Sequence, residues 1–592
     1  MTIRARIDAS FESLAAIVVR HPVATIAAGL IAVGILATGL PALHVETSFD
    51  SYLPVDNPER RLYDEFRAEF GSGERVLILL RPKELYDAHF LEELTRLHQA
   101  LEEELPYLDR VTSLVNARHL LGGESTLSSV GLLDDPVRSS SDLARLRDRI
   151  QSNSLYDNVV VSRDGTATAL IIELDGSLGE SDEPEEMASD LGGFEPTSAE
   201  GPIRGAMLTT EQAEKLVLAT DRILEEHAPQ SAAVYVAGTP VLAHRLGATL
   251  TRDVIVFVSV SAGLTALLLA MLFRNFWATV HPLLVVGLSV VGTLGWMGLR
   301  GIPLTAVTEI LPSLLVAVGV GDSVHIQSMF FRERRFGADV SSAIRAATRH
   351  SGLALLLTSV TTGVGMAAFQ SAELQPVIDL GRAAPIGVFL AWALSATFLP
   401  AMISLTHGRL DSTEETGRDN VQDLDRVLLR LGGVGTRQPA SVILGTALVV
   451  SLALVGVVRL RFSQDDLRWL PEDDDVRIAT EEVNRALDGA EPMEIYVVAS
   501  EGVDLREPTV ISALRDIETR VSRAEVGAVR VAQSISIVDV LEETHRALSD
   551  ESPDGQDPTP NTRAGISQEL LLFESAAPDD LARLVDAHWS RT

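Results

Sequence analysis

Apolar positions along this chain gather into seven runs of about 20 residues, the length at which a helix crosses a hydrocarbon core of roughly 30 Å. They lie near 22–42, 253–273, 277–299, 304–331, 353–370, 383–405 and 439–460 and predict seven transmembrane helices. The residues between the first two runs, and those after the last, are polar and mixed. There the apolar positions recur at the spacings of amphipathic helices and short strands.

In the first polar stretch the order is strand 75–80, helix 87–105, strand 109–115, strand 167–173, helix 208–228 and strand 233–237. This βαβ followed by βαβ is the ferredoxin-like split pattern. The acidic, Gly/Pro/Ser-rich residues 176–201 read as a solvated excursion within it. The predicted class is an α-helical polytopic membrane protein with α+β, ferredoxin-like extracytoplasmic domains. Its divisions are 1–42 (N-terminus and first helix), 43–250 (first extracytoplasmic domain), 251–406 (five-helix bundle), 407–437 (cytoplasmic linker), 438–460 (seventh helix) and 461–592 (partial second domain).

An incomplete internal repeat underlies this order. Pro22 and Pro439 are 417 apart, as are Pro54 and Pro471 and Glu65 and Glu482, and the strand "RVLILL" overlaps "MEIYVV" at that offset. The first apolar run therefore stays a membrane helix and is not a cleaved leader, because a leader would not recur in mid-chain. Only part of the second copy is present, so the chain is expected to be a truncated or split form of a twelve-helix protein. The partner it then lacks is the second half, or another copy of itself.

Charge follows the same division. Residues 41–250 hold 38 acids against 18 bases and residues 461–592 hold 29 against 13, within a chain of net charge −33. Arg4, Arg6 and Arg20 precede the first helix, and Arg332, Arg334, Arg335, Arg345 and Arg349 lie between the fourth and fifth. By the excess of basic residues in cytoplasmic loops, the N-terminus is cytoplasmic and both acidic segments are outside. Acidity of this order excludes nucleic acid as a partner. Cys is absent, which excludes disulfides and thiolate metal sites. The acids "EDDD" at 472–475 lack the glycine-turn spacing of a calcium loop, and no metal is assigned. Neither polar segment shows a paired nucleophile and base or a phosphate-cradling loop, so an enzyme is not expected.

Within the fourth apolar run, "LLVAVGVGDSVHIQSMFF" places Asp322 and His325 among apolar residues. An acid at mid-membrane costs about 2.5–3.5 kcal/mol, so it is functional unless it is paired or lines water. Gly319 and Gly321 permit close helix approach. In the fifth run Thr358, Thr361, Thr362 and Gly365 share one face at helical spacing. The alternative for the threonines is bonding back to their own helix carbonyls, and for His325 a plain helix–helix hydrogen bond. Glu309, Arg252, Asp253, Asp379 and Arg382, nearer helix ends, read as interfacial groups.

The repeated order of membrane helix, external domain and five helices, with "GVGDSVH" in the fourth helix, "LTSVTTGVGM" in the fifth and "LPAMISL" closing the sixth, resembles the resistance-nodulation-division superfamily. The resemblance is greatest to its MMPL-type branch. It implies export of a lipid or other hydrophobic compound across the bacterial inner membrane, with the proton gradient as energy source and no cofactor. On that reading the relay is Asp322 with His325, Ser323, Thr358, Thr361 and Thr362, and the packing glycines are Gly319, Gly321 and Gly365. Where many relatives have a second acid this sequence has Gly321, so one carboxyl position is filled. The partners implied are membrane lipids and a hydrophobic substrate. A lipid-sensing receptor or assembly scaffold without transport is the competing reading.

Overall fold

The computed structural model describes residues 3–592 apart from 55, 124–125, 134–139, 153–157, 176, 178–206, 408–432, 434–436, 461–465, 490–492, 501, 527–528, 532, 549–558 and 587–591. The expected linker 407–437 and the excursion 176–201 fall almost wholly outside the described residues. The chain divides into two units: residues 1–46, 51–53 and 249–466 form one, and residues 47–50, 54–248 and 467–592 the other.

In chain order the elements begin α1 (Ile3–Arg20), α2 (Pro22–Ala37), α3 (Pro58–Phe70), β1 (Arg75–Pro82), α4 (Ala88–Glu104), β2 (Leu108–Thr112), β3 (Arg118–Gly123) and β4 (Thr126–Gly131). They continue α5 (Ser140–Ser152), β5 (Thr168–Leu174), α6 (Thr210–His227), β6 (Ala232–Gly238), α7 (Thr239–Phe273), α8 (Phe276–Leu299), α9 (Leu311–Arg335) and α10 (Val340–Ala367). After α11 (Gln375–Ala396) and α12 (Phe398–His407) come α13 (Pro439–Val457), α14 (Asp475–Leu487), α15 (Pro508–Ser522), β7 (Glu525–Val526), β8 (Val529–Arg530), α16 (Ile537–Leu548), α17 (Arg563–Ala576) and α18 (Pro578–Ala582).

Seven helical spans among the described residues are long and apolar enough to cross a membrane: Pro22–Ala42, Thr239–Phe273, Phe276–Leu299, Thr308–Arg335, Val340–Ser371, Gln375–Thr406 and Pro439–Val457. They coincide with the seven expected runs. Three start well before their apolar stretch: α7 continues from β6 without a break, α10 is capped upstream by Asp339, whose carboxylate accepts from the Ser341 and Ser342 amides, and α11 starts at Gln375 with Pro376 in its first turn. Exposed Ile255, Phe257, Leu264, Leu267 and Leu268 on α7 and Ile443, Leu444, Leu448 and Leu452 on α13 form apolar surface suited to lipid.

In the bundle, α9 packs against α8, α10 and α11, while α2 packs on α8 and α12. The α2–α8 contact is made by small residues. A Cβ added to Gly295 would lie 2.6 Å from the Leu36 carbonyl carbon, and one on Gly298 would lie 2.8 Å from that of Gly39. The sequence reading missed α1, which precedes α2 and lies on α10 through buried Phe11, Ala15 and Val18.

The polar unit is built on a four-stranded antiparallel sheet of order β2–β5–β1–β6. One face, with Val76, Ile78 and Leu80, is covered by Phe90, Leu94, Leu97 and Leu101 of α4 and Leu216 and Ile223 of α6. Between the two βαβ halves the structure inserts the β3–β4 hairpin and α5, neither of which the sequence reading anticipated.

The opposite face of the sheet is covered from the second copy. Val483 and Leu487 of α14 cluster with Leu79, Ala169 and Ala237. Shifted back by 417, Val483 and Leu487 are Phe66 and Phe70 of α3, and these rings pack edge-on against Tyr496 at centroid distances of 5.6 and 5.9 Å. Tyr496 is itself the counterpart of Leu79. The two copies thus exchange equivalent helices. The expected strand "MEIYVV" forms no sheet ladder among the described residues: Val498 sits in a single β-bridge and Val497 exchanges both backbone hydrogen bonds with Thr592. Among the described residues the rest of the second copy is mostly helical, with β7 and β8 as a short antiparallel pair and Leu505, Ile511, Leu541, Ile566 and Phe573 at its core.

Candidate functional site

α9 starts with Pro312 in its first turn, where the missing N–H costs nothing, and runs through 25 residues. Within the span Thr308–Arg335, Asp322 is about 20 Å of helix from either end, at the middle of that apolar span. It is 4% exposed. Leu315, Gly319, Asp322, Ser323, Ile326, Gln327 and Phe330 form the buried stripe of α9, at the spacing of one helix face. Gly319 lies one turn before the acid; a Cβ there would meet Val286 at 3.0 Å and Ala391 at 3.4 Å, so glycine lets α8 and α11 close on α9.

Around the carboxyl, Ser323 shares a hydrogen bond of 3.2 Å with Ser395 of α11. The hydroxyl of buried Ser359, on α10, lies beside the Asp322 carboxyl. Even so, Asp322 Oδ2 and Ser359 Oγ lack a well-formed hydrogen-bond partner among the described residues, as do Gln327 Oε1, Thr348 Oγ1 and Ser351 Oγ. All five groups are buried, and they occupy the buried faces of two packed antiparallel helices. Because α9 and α10 join at 336–339, Gln327, Ser351 and Thr348 continue from Asp322 towards that turn. Native interiors leave few such atoms unpaired.

A second buried acid of the bundle gives the contrast. Asp379 Oδ1 accepts from Gln375 Nε2 at 2.9 Å and from Arg382 Nη1 at 3.1 Å. Expected as an exposed interfacial group, Asp379 is instead buried and paired, while Arg382 reaches outward. Asp322 has no such cation among the described residues.

The structure does not gather the other relay candidates around Asp322. His325 is exposed: three residues onward rotates the side chain by about 60° off the Asp322 direction, past the edge of the buried stripe. Thr358 and Thr361 are exposed and donate back to Ala354 and Leu357 carbonyls at 2.9 Å, and Thr362 is half-buried. Gly321 and Gly365 are exposed, and a Cβ on either meets nothing within 4 Å, so they are not packing positions. The buried stripe of α10 is Ser351, Leu355, Ser359 and Gly363, offset from the threonine stripe. The sequence does carry that signal: Thr348, Ser351, Gly352, Leu355, Ser359 and Gly363 recur at steps of one to four residues, mostly three or four.

Residues 198–442 match the MMPL family. The putative membrane protein MJ1562 of Methanocaldococcus jannaschii is 26% identical over 386 residues, covering 62% of this chain and 86% of that protein. The probable transport protein MmpL8 of Mycobacterium bovis is 24% identical over 412 residues, 68% of this chain and 34% of its own length. The hopanoid transporter HpnN of Rhodopseudomonas palustris is 26% identical over 183 residues, 31% of this chain and 20% of its own. Matches to the two proteins named as transporters therefore span about a third of their length or less. Together with the seven apolar helices, these relatives make the chain a multi-pass membrane protein.

Proposed function

For a chain placed by these matches among the MMPL-type transporters of the resistance-nodulation-division superfamily, we propose that it drives export of a lipid or other hydrophobic compound by protonation of Asp322. The observation that carries this reading is the Asp322 carboxyl itself: buried at mid-span, without a cation, and in line with the unpaired polar atoms of Ser359, Ser351, Gln327 and Thr348. A carboxylate there costs about 2.5–3.5 kcal/mol, which taking up a proton removes, so the two protonation states favour different packings of α9 against α8, α10 and α11. The seam is polar enough for water to bridge its groups, and such a file passes protons between the carboxyl and the α9–α10 turn. Ser359, Ser351 and Gln327 take the place first given to His325 and the threonines.

The arginines at the α9–α10 turn favour a cytoplasmic turn and an extracytoplasmic polar unit, in a bacterial inner membrane. The strand order β2–β5–β1–β6, with α4 and α6 as the two crossovers, supports a ferredoxin-like reading of the first polar segment. The substrate class rests on the names of the relatives. A complementing second half, or a second copy, is the expected partner.

Reconstituted protein, with whatever partner it requires, tests the proposal. Asp322→Asn is expected to abolish proton-dependent export and Ser359→Ala to slow it, while Thr358→Ala leaves it unchanged. Proton-dependent export at the unaltered rate in a folded Asp322→Asn protein refutes the relay. A lipid-sensing scaffold would bind lipid with no proton flux in the same vesicles.

A further inference from the structure

α10 is longer than its apolar part. Residues 340–350, about 16 Å of helix, precede the apolar run and carry Arg345, Arg349 and His350, which sets this first section at the level of lipid headgroups. α1 lies against the same section. Its Phe11 ring sits on Gly352, where an added Cβ would come within 2.6 Å of Phe11 Cδ1. Between the helices is an open cleft of about 310 Å³ lined by Glu12, Ser342, Arg345, Ala346, Arg349 and His350.

The cations of this cleft are unequally satisfied. Arg349 Nη1 is 3.1 Å from Glu12 Oε2. Arg345 donates Nε to its own helix, to the Ser341 carbonyl at 3.3 Å, and has no carboxylate partner among the described residues. Asp339 is occupied in capping: the Ser342 and Ser341 hydroxyls and the Ser342 amide hold its carboxyl well below the usual range. The lining thus holds two guanidinium groups against one carboxylate, with a hydroxyl and an imidazole beside them. A guanidinium fork pairs with two phosphate oxygens more readily than with water. We propose that this cleft binds the phosphate of an anionic phospholipid from the leaflet at this face, with Arg345 as the principal contact and Glu12 as the competitor for Arg349. Lipid is the source because the cleft opens at headgroup depth between an amphipathic helix and a membrane span.

The full chain in detergent, titrated with short-chain phosphatidylglycerol, phosphatidylcholine or inorganic phosphate and read by native mass spectrometry, decides the matter. Phosphatidylglycerol is expected to bind in preference to both others. Arg345→Gln should weaken it about fivefold, Arg345→Lys less, and Glu12→Gln should strengthen it. Thermal unfolding of each variant separates lost binding from lost folding, and Glu12→Gln keeps every cation of the site in place. Equal phosphatidylglycerol affinity in wild type and in a folded Arg345→Gln, Arg349→Gln double variant overturns the site. Equal affinity for inorganic phosphate overturns lipid as its source. Neither result bears on the role of Asp322.

Discussion

The contact between α2 and α8 yields a quantitative test, because it is made by backbone and cannot relax by turning a side chain. An alanine Cβ at Gly298 would stand 2.8 Å from the Gly39 carbonyl carbon and 3.2 Å from the Leu43 nitrogen; at Gly295 it would stand 2.8 Å from Ala37 Cα. Carbon atoms settle at about 3.5–4.0 Å, so the two helices must part by about 1 Å. Overpacking of this kind costs about 1–3 kcal/mol. Gly287, on the exposed side of the same helix, has nothing within 4 Å of an added Cβ. Alanine there gains roughly 0.8–1 kcal/mol of helix propensity, or somewhat less in a membrane. Reversible unfolding in mixed micelles, followed by tryptophan fluorescence, should rank Gly287→Ala above wild type and both Gly295→Ala and Gly298→Ala well below it. If all three alanine variants unfold within about 0.5 kcal/mol of one another, α2 does not approach α8 as described.

Leu487→Ala should destabilise the polar unit by about 2–5 kcal/mol, because it empties the seat of α14 on the first copy's sheet; denaturant unfolding of that unit measures it. Phe66→Ala should cost less, since its ring is only half-buried. Glu518 on α15 is pushed up to about 7 by burial and by Asp539, despite accepting from Ser534 and Ser536. The folded state therefore binds more protons than the unfolded state between pH 4.5 and 7, and stability falls as pH rises through that window. Glu518→Gln should flatten the dependence of melting temperature on pH there, and an unchanged slope would remove the carboxyl pair from the account. Gly352→Ala should displace Phe11 and free α1, seen as faster proteolysis near Arg20.

How much of this was legible in the sequence depended on whether a signal was local. Seven spans were legible because each is a run of apolar side chains, and the repeat because Pro22 and Pro439 start equivalent helices. Its caps recur too: Asn57 accepts from the Glu59 amide and Asp474, 417 residues later, from the Val476 amide. Asp322 stood out because a charge in an apolar run is conspicuous. The face of α10 was not legible in the same way. Threonines 358, 361 and 362 and serines 351 and 359 both fit helical spacing, and only the packing of α9 decides between them. Thr358 and Thr361 satisfy themselves on their own carbonyls, which is why they can face outward. α1 escaped notice because its apolar run, residues 14–19, is only six residues long and the rest of the helix is a narrow stripe among arginines and acids. "MEIYVV" has a strand's composition, but a strand also needs neighbours, which composition does not supply.

The exchange of α3 and α14 was least legible, and it carries a mechanical consequence. Each copy's first polar helix buries its apolar face on the other copy, Phe66 and Phe70 on Tyr496, Val483 and Leu487 on Leu79. Ion pairs fix the same association: Arg81 with Glu482 at 3.2 Å, Arg245 with Asp474 at 2.7 Å, and Arg110 with Asp580 at 2.5 Å, while Arg583 joins Glu173 and Asp109. Burial pushes the Arg583 guanidinium down, and the neighbouring Arg110 adds to that, while the Asp109 carboxylate acts in the opposite direction. Most of these side chains are partly exposed, so solvent screens the pairs and each contributes modestly beside the apolar contact. Neither polar segment can withdraw from the other without exposing an apolar sheet face. The polar segments of the two copies must then move together.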